Sequence, residues 1–206
     1  MYSIHANLKQ DDILTEIETK FKDVYVKADV LPKPYVGSEK TKAILIGTDP
    51  GNLIKGETLI FDFVFGLENK SSPYFRSIQS NIDALNHLDL ENLYVQNICK
   101  NYFNCDATKN KYWKEAASIW LPYIVKEIDL QFEKSVPVLI SAEILLDVIL
   151  KNPQTKLNAE TYYSNATFID KAENYFDRTL IPFYRHSKYS LAKWDKYREA
   201  IDNYFS

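Results

Sequence analysis

The sequence predicts an α/β protein, a three-layer α/β/α sandwich around a central, mainly parallel four-stranded sheet. Three observations predict it. Four short apolar runs, Ala43–Ile46, Leu93–Ile98, Pro137–Ser141 and Leu180–Tyr184, have the length and boundaries of strands buried on both faces. Segments with helical apolar spacing lie between them, the alternation that builds a parallel sheet between helical layers. No repeat, low-complexity tract or linker interrupts the 206 residues, a length that suits one domain with a full core. Residues 1–206 are therefore read as a single domain, with 1–40 forming an N-terminal helix and an edge-wrapping segment.

Taken in order, Asp12–Phe21 has apolar residues at Ile13, Leu14, Ile17 and Phe21, and Asp11 or Asp12 is placed to cap the helix. Val24–Tyr35 is extended and twice interrupted by proline, which suits an edge. The first strand follows and ends in Gly47, Asp49, Pro50 and Gly51. Leu59–Leu67 places Phe61, Phe63 and Phe65 at alternate positions, so an extended segment would show all three on one face. Ser72–Leu85 opens with Ser-Pro and continues as a helix through Phe75, Ile78, Ile82 and Leu85.

Beyond the second strand, Tyr112–Ile128 carries Trp113, Ala116, Ala117, Trp120 and Ile124 on one stripe. Glu143–Leu150 reads as a short helix after the third strand. Asn152–Arg178 has no sustained period. Pro182 inside Leu180–Tyr184 places that strand at a sheet edge. His186–Ser190 reads as a loop, and Leu191–Phe205 as a closing helix with Trp194, Tyr197, Ile201 and Tyr204 at helical spacing.

Composition narrows the function. No apolar run approaches the ~20 residues of a membrane span, and the N-terminus lacks a signal-peptide pattern, so a cytoplasmic protein without a membrane partner is expected. Cys99 and Cys105 are too few for a disulfide framework or a four-thiolate cluster. A net charge of −3 gives no general support for a nucleic-acid partner, although a local basic groove is compatible with it. No metal-ligand cluster stands out, and neither a metal nor an organic cofactor is expected.

Three polar groups fall just beyond three different strands: Asp49, Asn97 and His186. A carboxylate, a carboxamide and an imidazole in one crevice make a hydrolytic site. Each also has a plain structural reading, as a turn residue before Pro-Gly, a strand-end cap and a packed imidazole respectively. Their common position at strand ends is what joins them.

GTDPG at Gly47–Gly51, Asn97 in LYVQNICKN and RHSKYSL at Arg185–Leu191 resemble the motifs of the uracil-DNA glycosylase superfamily. The resemblance runs from about Thr41 to the C-terminus, and PVLISAEILLDVIL at Pro137–Leu150 looks like that family's third strand and following helix. It implies cleavage of the bond between a base and its deoxyribose, after the nucleotide is flipped out of DNA. It implies that Asp49 activates water and stabilises the developing sugar cation, and that His186 donates to the departing base. It implies that Asn97 reads the base edge, with Gly47, Pro50 and Gly51 shaping the base site. An aromatic residue stacks on the base in the family. Phe65 is favoured for that place, then Phe61, with Phe63 a further candidate. In the last loop, Ser187, Lys188 and Ser190 match positions that hold DNA phosphates, and Leu191 or Tyr189 matches the wedge that fills the gap left by the flipped nucleotide. The plain reading there is that Ser190 caps the final helix and Leu191 packs beneath it.

The chain departs from the family's pattern at named positions. Ser187 stands where proline usually follows the histidine, and Gly51 stands where the classical branch has the tyrosine that excludes thymine's methyl group. The cluster cysteines of the thermostable branch are missing. The expected activity is removal of uracil or a related deaminated base from DNA by a monomeric enzyme. The alternative is a catalytically inactive member of the fold that binds nucleic acid or protein. A phosphate-binding turn at Gly47–Gly51 fits less well, because no Gly-x-Gly-x-x-Gly run is present and Asp49 would repel phosphate.

Overall fold

The apolar runs become neighbouring parallel strands, and the helices form where apolar stripes lie between them. The computed structural model describes residues 9–50, 61–67 and 73–206. In chain order these contain α1 (Gln10–Lys20), β1 (Tyr25–Val26), β2 (Tyr35–Val36), β3 (Ala43–Gly47), α2 (Pro73–Ile82), β4 (Leu93–Asn97) and β5 (Tyr102–Phe103). They continue with α3 (Trp113–Gln131), β6 (Val138–Ile140), α4 (Leu146–Ile149), α5 (Ala159–Asn165), β7 (Leu180–Pro182) and α6 (Asp195–Phe205).

The main sheet has five strands rather than the expected four, in the order β2–β4–β3–β6–β7. Strands β4, β3, β6 and β7 run parallel, and every one of their residues is buried, so both faces of the sheet are covered. The fifth strand, β2, pairs antiparallel with β4 along Tyr35–Val95 and Val36–Tyr94. Two residues following Pro34 offer no apolar run to reveal such a strand. Gly37 allows its close approach, since a Cβ there would stand 2.1 Å from the carbonyl oxygen of Glu91. The segment read as merely extended also supplies β1, which pairs antiparallel with β5 as a separate two-stranded ribbon.

Helix α1 begins ahead of the expected Asp12. Asp12 sits inside the first turn and accepts from the Lys9 N–H at 3.3 Å, while Ile13 and Ile17 enter the core. Helix α3 buries the predicted stripe of Trp113, Ala116, Ala117, Trp120 and Ile124, and then Ile128. Its start is set by Asn110, whose Oδ1 accepts from the Tyr112 N–H at 3.0 Å and whose carbonyl accepts from the Trp113 N–H at 3.0 Å.

The stretch without a readable period holds α5, capped by Asn158 Oδ1 accepting from the Thr161 N–H at 2.9 Å. It ends in Arg178, a fully buried arginine. The Arg178 guanidinium donates to the carbonyls of Phe132 at 2.6 Å and Val136 at 3.1 Å, to that of Glu133, and to Asp129 Oδ1 at 3.0 Å. It thus satisfies carbonyls left without an intrahelical partner where α3 ends and the chain turns into β6. The closing helix begins at Asp195 rather than Leu191, because residues 191–193 form a 3-10 turn. Tyr197 and Ile201 are its buried residues, whereas Tyr204 is exposed. Among the described residues no helix is long and apolar enough to cross a membrane.

Removing Arg178 takes the side-chain donor from the carbonyls of Phe132, Glu133 and Val136 and leaves Asp129 to its pairing with Lys134 at 2.7 Å. Arg178→Met is expected to destabilise the fold by about 3–5 kcal/mol, read as the shift of the urea unfolding midpoint at unchanged slope.

Candidate active site

The parallel ladder carries Asp49 to a fixed place. The Ile98 N–H donates to the Gly47 carbonyl at 2.8 Å, Cys99 to Thr48 at 2.9 Å, and Ser141 to Ile46 at 3.1 Å. Bonding to the β4 side therefore continues to Thr48, the residue before Asp49, and bonding to the β6 side continues to Ile46. From β3 the chain goes first to β4 on one side and later to β6 on the other, which makes the β3–β6 border the switch point of the sheet. In open parallel sheets that is where a ligand crevice forms. A cavity of about 190 Å³ opens there, walled by Thr48 and Asp49 after β3, Ala142 and Ile144 after β6, and Arg185 after β7. Phe61, Phe65 and residues 106–108 complete the described wall.

Asp49 is held and electrostatically loaded. The Trp113 indole N–H donates to its Oδ1 at 2.9 Å. Burial pushes the Asp49 carboxyl up to about 7, against the opposing effects of the Trp113 and Thr48 hydrogen bonds and the Arg185 charge; Asp106 pushes in the same direction as burial. A carboxyl with that value is half-ionised at neutral pH and can take a proton from water there. The same burial, with the Asp49 charge nearby, raises the Cys99 thiol well above its ordinary range. Pro50 is buried beside Asp49, and Gly51 lies outside the described residues.

The three phenylalanines do not share a face. Residues 64–66 turn as a 3-10 segment in which Phe65 takes a left-handed backbone (φ 62°), followed by Gly66 at φ 61°. The turn breaks the alternation. Phe61 and Phe65 line the cavity, whereas Phe63 packs edge-on against Tyr35 with ring centres 6.3 Å apart.

Asn97 pairs with Gly47 across the ladder and is only 1 % exposed. It does not line the cavity. A Cβ on Gly47 would stand 2.3 Å from Asn97 Oδ1 and 2.3 Å from Phe65 Cζ, so the amide and the phenyl ring meet over the bare glycine. Neither side-chain polar atom of Asn97 has a hydrogen-bond partner among the described residues.

His186 lies outside the cavity. It is exposed, and its Nδ1 accepts from the Lys188 N–H at 3.1 Å as the cap of a short 3-10 turn. The reason is strand parity. The Phe183 and Arg185 N–H groups donate to Ile140 at 2.8 Å and Ser141 at 3.1 Å, extending the ladder past β7. Successive side chains then alternate: Arg185 faces the cavity, while Tyr184 stacks on Tyr163 and His186 neighbours Tyr189.

Ser187 and Lys188 are exposed, and Lys188 pairs with Glu160 at 2.7 Å. Ser190 is half-buried and makes no side-chain cap, contrary to the plain reading of it. Leu191 is fully buried in the core, its N–H donating to Asn81 Oδ1 at 3.0 Å, so as placed it cannot act as a wedge. Half-buried Tyr189 is the other candidate for that role.

Sequence reasoning missed Trp113 and Arg185 as site residues. Trp113 was legible as core, and its signal was position: a tryptophan opening a helix needs a partner for its indole N–H. Arg185 was legible only through strand parity. Among the described residues no group of three or more His, Cys, Asp and Glu side chains is placed to hold a metal ion. No family model matches the chain, and no curated protein matches it significantly.

Two outcomes follow. An unfolded aspartate ionises near 3.9, so between that pH and about 7 the folded state holds the extra proton and stability falls as pH rises. Asp49→Asn is therefore expected to stabilise the protein by about 1–3 kcal/mol above pH 7, a full three-unit shift being discounted for the residue's partial exposure. The gain should vanish below about pH 4, as read from thermal melts across pH. Gly47→Ala forces the Asn97 amide or the Phe65 ring to move, and should cost about 1–3 kcal/mol in the same assay.

Proposed function

We propose that the protein is a DNA glycosylase that hydrolyses the bond between deoxyribose and uracil, or a related deaminated base, in a three-layer α/β/α fold of the uracil-DNA glycosylase type. The observation that carries this reading is the pairing of Asp49 with a small aromatic-walled cavity. About 190 Å³ lies below the ~300 Å³ at which ordinary small-molecule sites begin, so the cavity suits one ring rather than a whole nucleotide. Phe61 and Phe65 offer ring faces for a base, and Asp49 stands at the polar end. A base can enter such a space only when extruded from the stack.

The chemistry follows from the electrostatics. As the glycosidic bond breaks, its electron pair leaves with the base and the sugar becomes a cation. Ionised Asp49 stabilises that cation and accepts a proton from the attacking water, whose oxygen bonds the anomeric carbon. Trp113 fixes the carboxylate's orientation. The Asn97 amide, buried beside Phe65 at the end of β4 and unpartnered among the described residues, carries the donor and the acceptor that an imide edge needs.

One arrangement favours the second reading, an inactive member of the fold that binds nucleic acid or protein. Asn97 is covered and His186 is outside the cavity. The two readings separate in a single assay, release of free base from uracil-, hypoxanthine- and xanthine-containing single strands and mismatched duplexes. On the first reading wild type releases base, Asp49→Asn is slower by about 10²–10⁴-fold, and the wild-type rate rises with pH through about 7 as Asp49 ionises. Folded wild-type protein that binds these strands without releasing any of the three bases would establish the second reading instead.

A further inference from the structure

A heterolysed glycosidic bond produces two charges, a sugar cation and a base anion. Asp49 answers the first. The second is stabilised by a cation or by hydrogen-bond donors in the same cavity, and among the described residues that line it, Arg185 is the one that carries positive charge. Its backbone is fixed by the N–H bond to the Ser141 carbonyl at 3.1 Å, on the last rung of the ladder. Its guanidinium lies 5.2 Å from the centre of the Phe65 ring, the ring placed to stack on a base, and its charge is felt at Asp49. Guanidinium, phenyl ring and the Asp49 carboxylate thus surround one space from three different segments of chain, and a second carboxylate on its wall, Asp106, is paired with Lys109 at 2.9 Å.

We infer that Arg185, rather than His186, receives the charge of the departing base, which makes the cavity a site for an anionic pyrimidine-type ring bearing carbonyl oxygens. The inference rests on the glycosylase reading for its substrate, but the anion site it describes is testable without turnover. In the reaction, the electron pair of the broken bond spreads over the base nitrogen and its carbonyl oxygens. The planar guanidinium donates to those oxygens by charge-assisted hydrogen bonds. The water oxygen goes to the sugar, its proton to Asp49, and the base takes a proton from solvent after release. A guanidinium stays charged throughout the neutral range, so it needs no proton of its own to give. That distinguishes it from a histidine, whose charge depends on pH.

The test compares two free pyrimidines by calorimetry and tryptophan fluorescence. Barbiturate is an anion at neutral pH, and uracil is its neutral counterpart. At pH 6, below the value of about 7 at which Asp49 ionises, wild type is expected to bind barbiturate about tenfold or more tightly than uracil. Arg185→Gln should erase that preference, and Arg185→Lys should keep part of it. Circular dichroism and thermal melts establish that each variant is folded, and the wild-type comparison stands even where a variant is not. Equal binding of the two rings, binding of neither, or a preference that survives in Arg185→Gln but disappears in His186→Gln would overturn the inference. Base release measured beside it separates the two claims. Release that Arg185→Gln leaves unchanged removes the role of Arg185 and keeps the glycosylase. An Arg185-dependent anion preference without release of any base keeps the anion site and removes the glycosylase.

Discussion

The missing side chain at Gly47 is the constraint around which the site is arranged. Strand β3 is central in the sheet and bonded on both sides almost to its end. At that end the neighbouring strand presents Asn97, and the turn of residues 64–66 presents Phe65, both within reach of the bare Cα. Any Cβ would displace one of them. The glycine thus lets an amide, a phenyl ring and the following carboxylate crowd together at one strand terminus.

That crowding is unfavourable for the folded state. Asp49 is enclosed enough to hold its proton up to about 7, Asn97 is buried with its amide unpartnered among the described residues, and Phe65 adopts a backbone conformation that suits glycine. Each costs free energy that better local choices would recover. Single irregularities of the same kinds occur elsewhere, as in the left-handed backbones of Ala166 and Asp177 and the buried Tyr94 hydroxyl, but at the end of β3 three of them adjoin a cavity. The stabilising structure lies elsewhere, in the buried sheet, the α3 stripe and the Arg178 cap.

Much of the fold was readable because burial imposes a period. The four parallel strands and the stripe of α3 are long or regular enough for apolar spacing to identify them. Strands of two residues are not, which is why β2, β1 and β5 escaped notice, and why the sheet gained a fifth member. Arg178 was unreadable for a different reason: an arginine signals exposure until the carbonyls it will cap are known. At the site, Asp49, Phe61 and Phe65 were placed by their order along the chain. Two errors came from parity. Alternation assumed through Phe65 fails at the left-handed turn, and placing Arg185 rather than His186 on the cavity wall needed the register of β7 on β6.

Asn81 anchors the last loop at both ends. From α2 its Nδ2 donates to the Tyr184 carbonyl at 3.2 Å, and its Oδ1 accepts from the Leu191 N–H at 3.0 Å. One buried amide therefore staples both ends of the segment between them. The backbones of Arg185 and Leu191 are tied from outside the loop, by the ladder and by this staple, while within it Tyr189 packs on Tyr163 and Trp194 and the Lys188 carbonyl accepts from the Trp194 indole N–H at 2.9 Å. The exposed side chain of Ser187 at the loop tip is thus set apart from the cavity wall, which the ladder and the staple hold behind it.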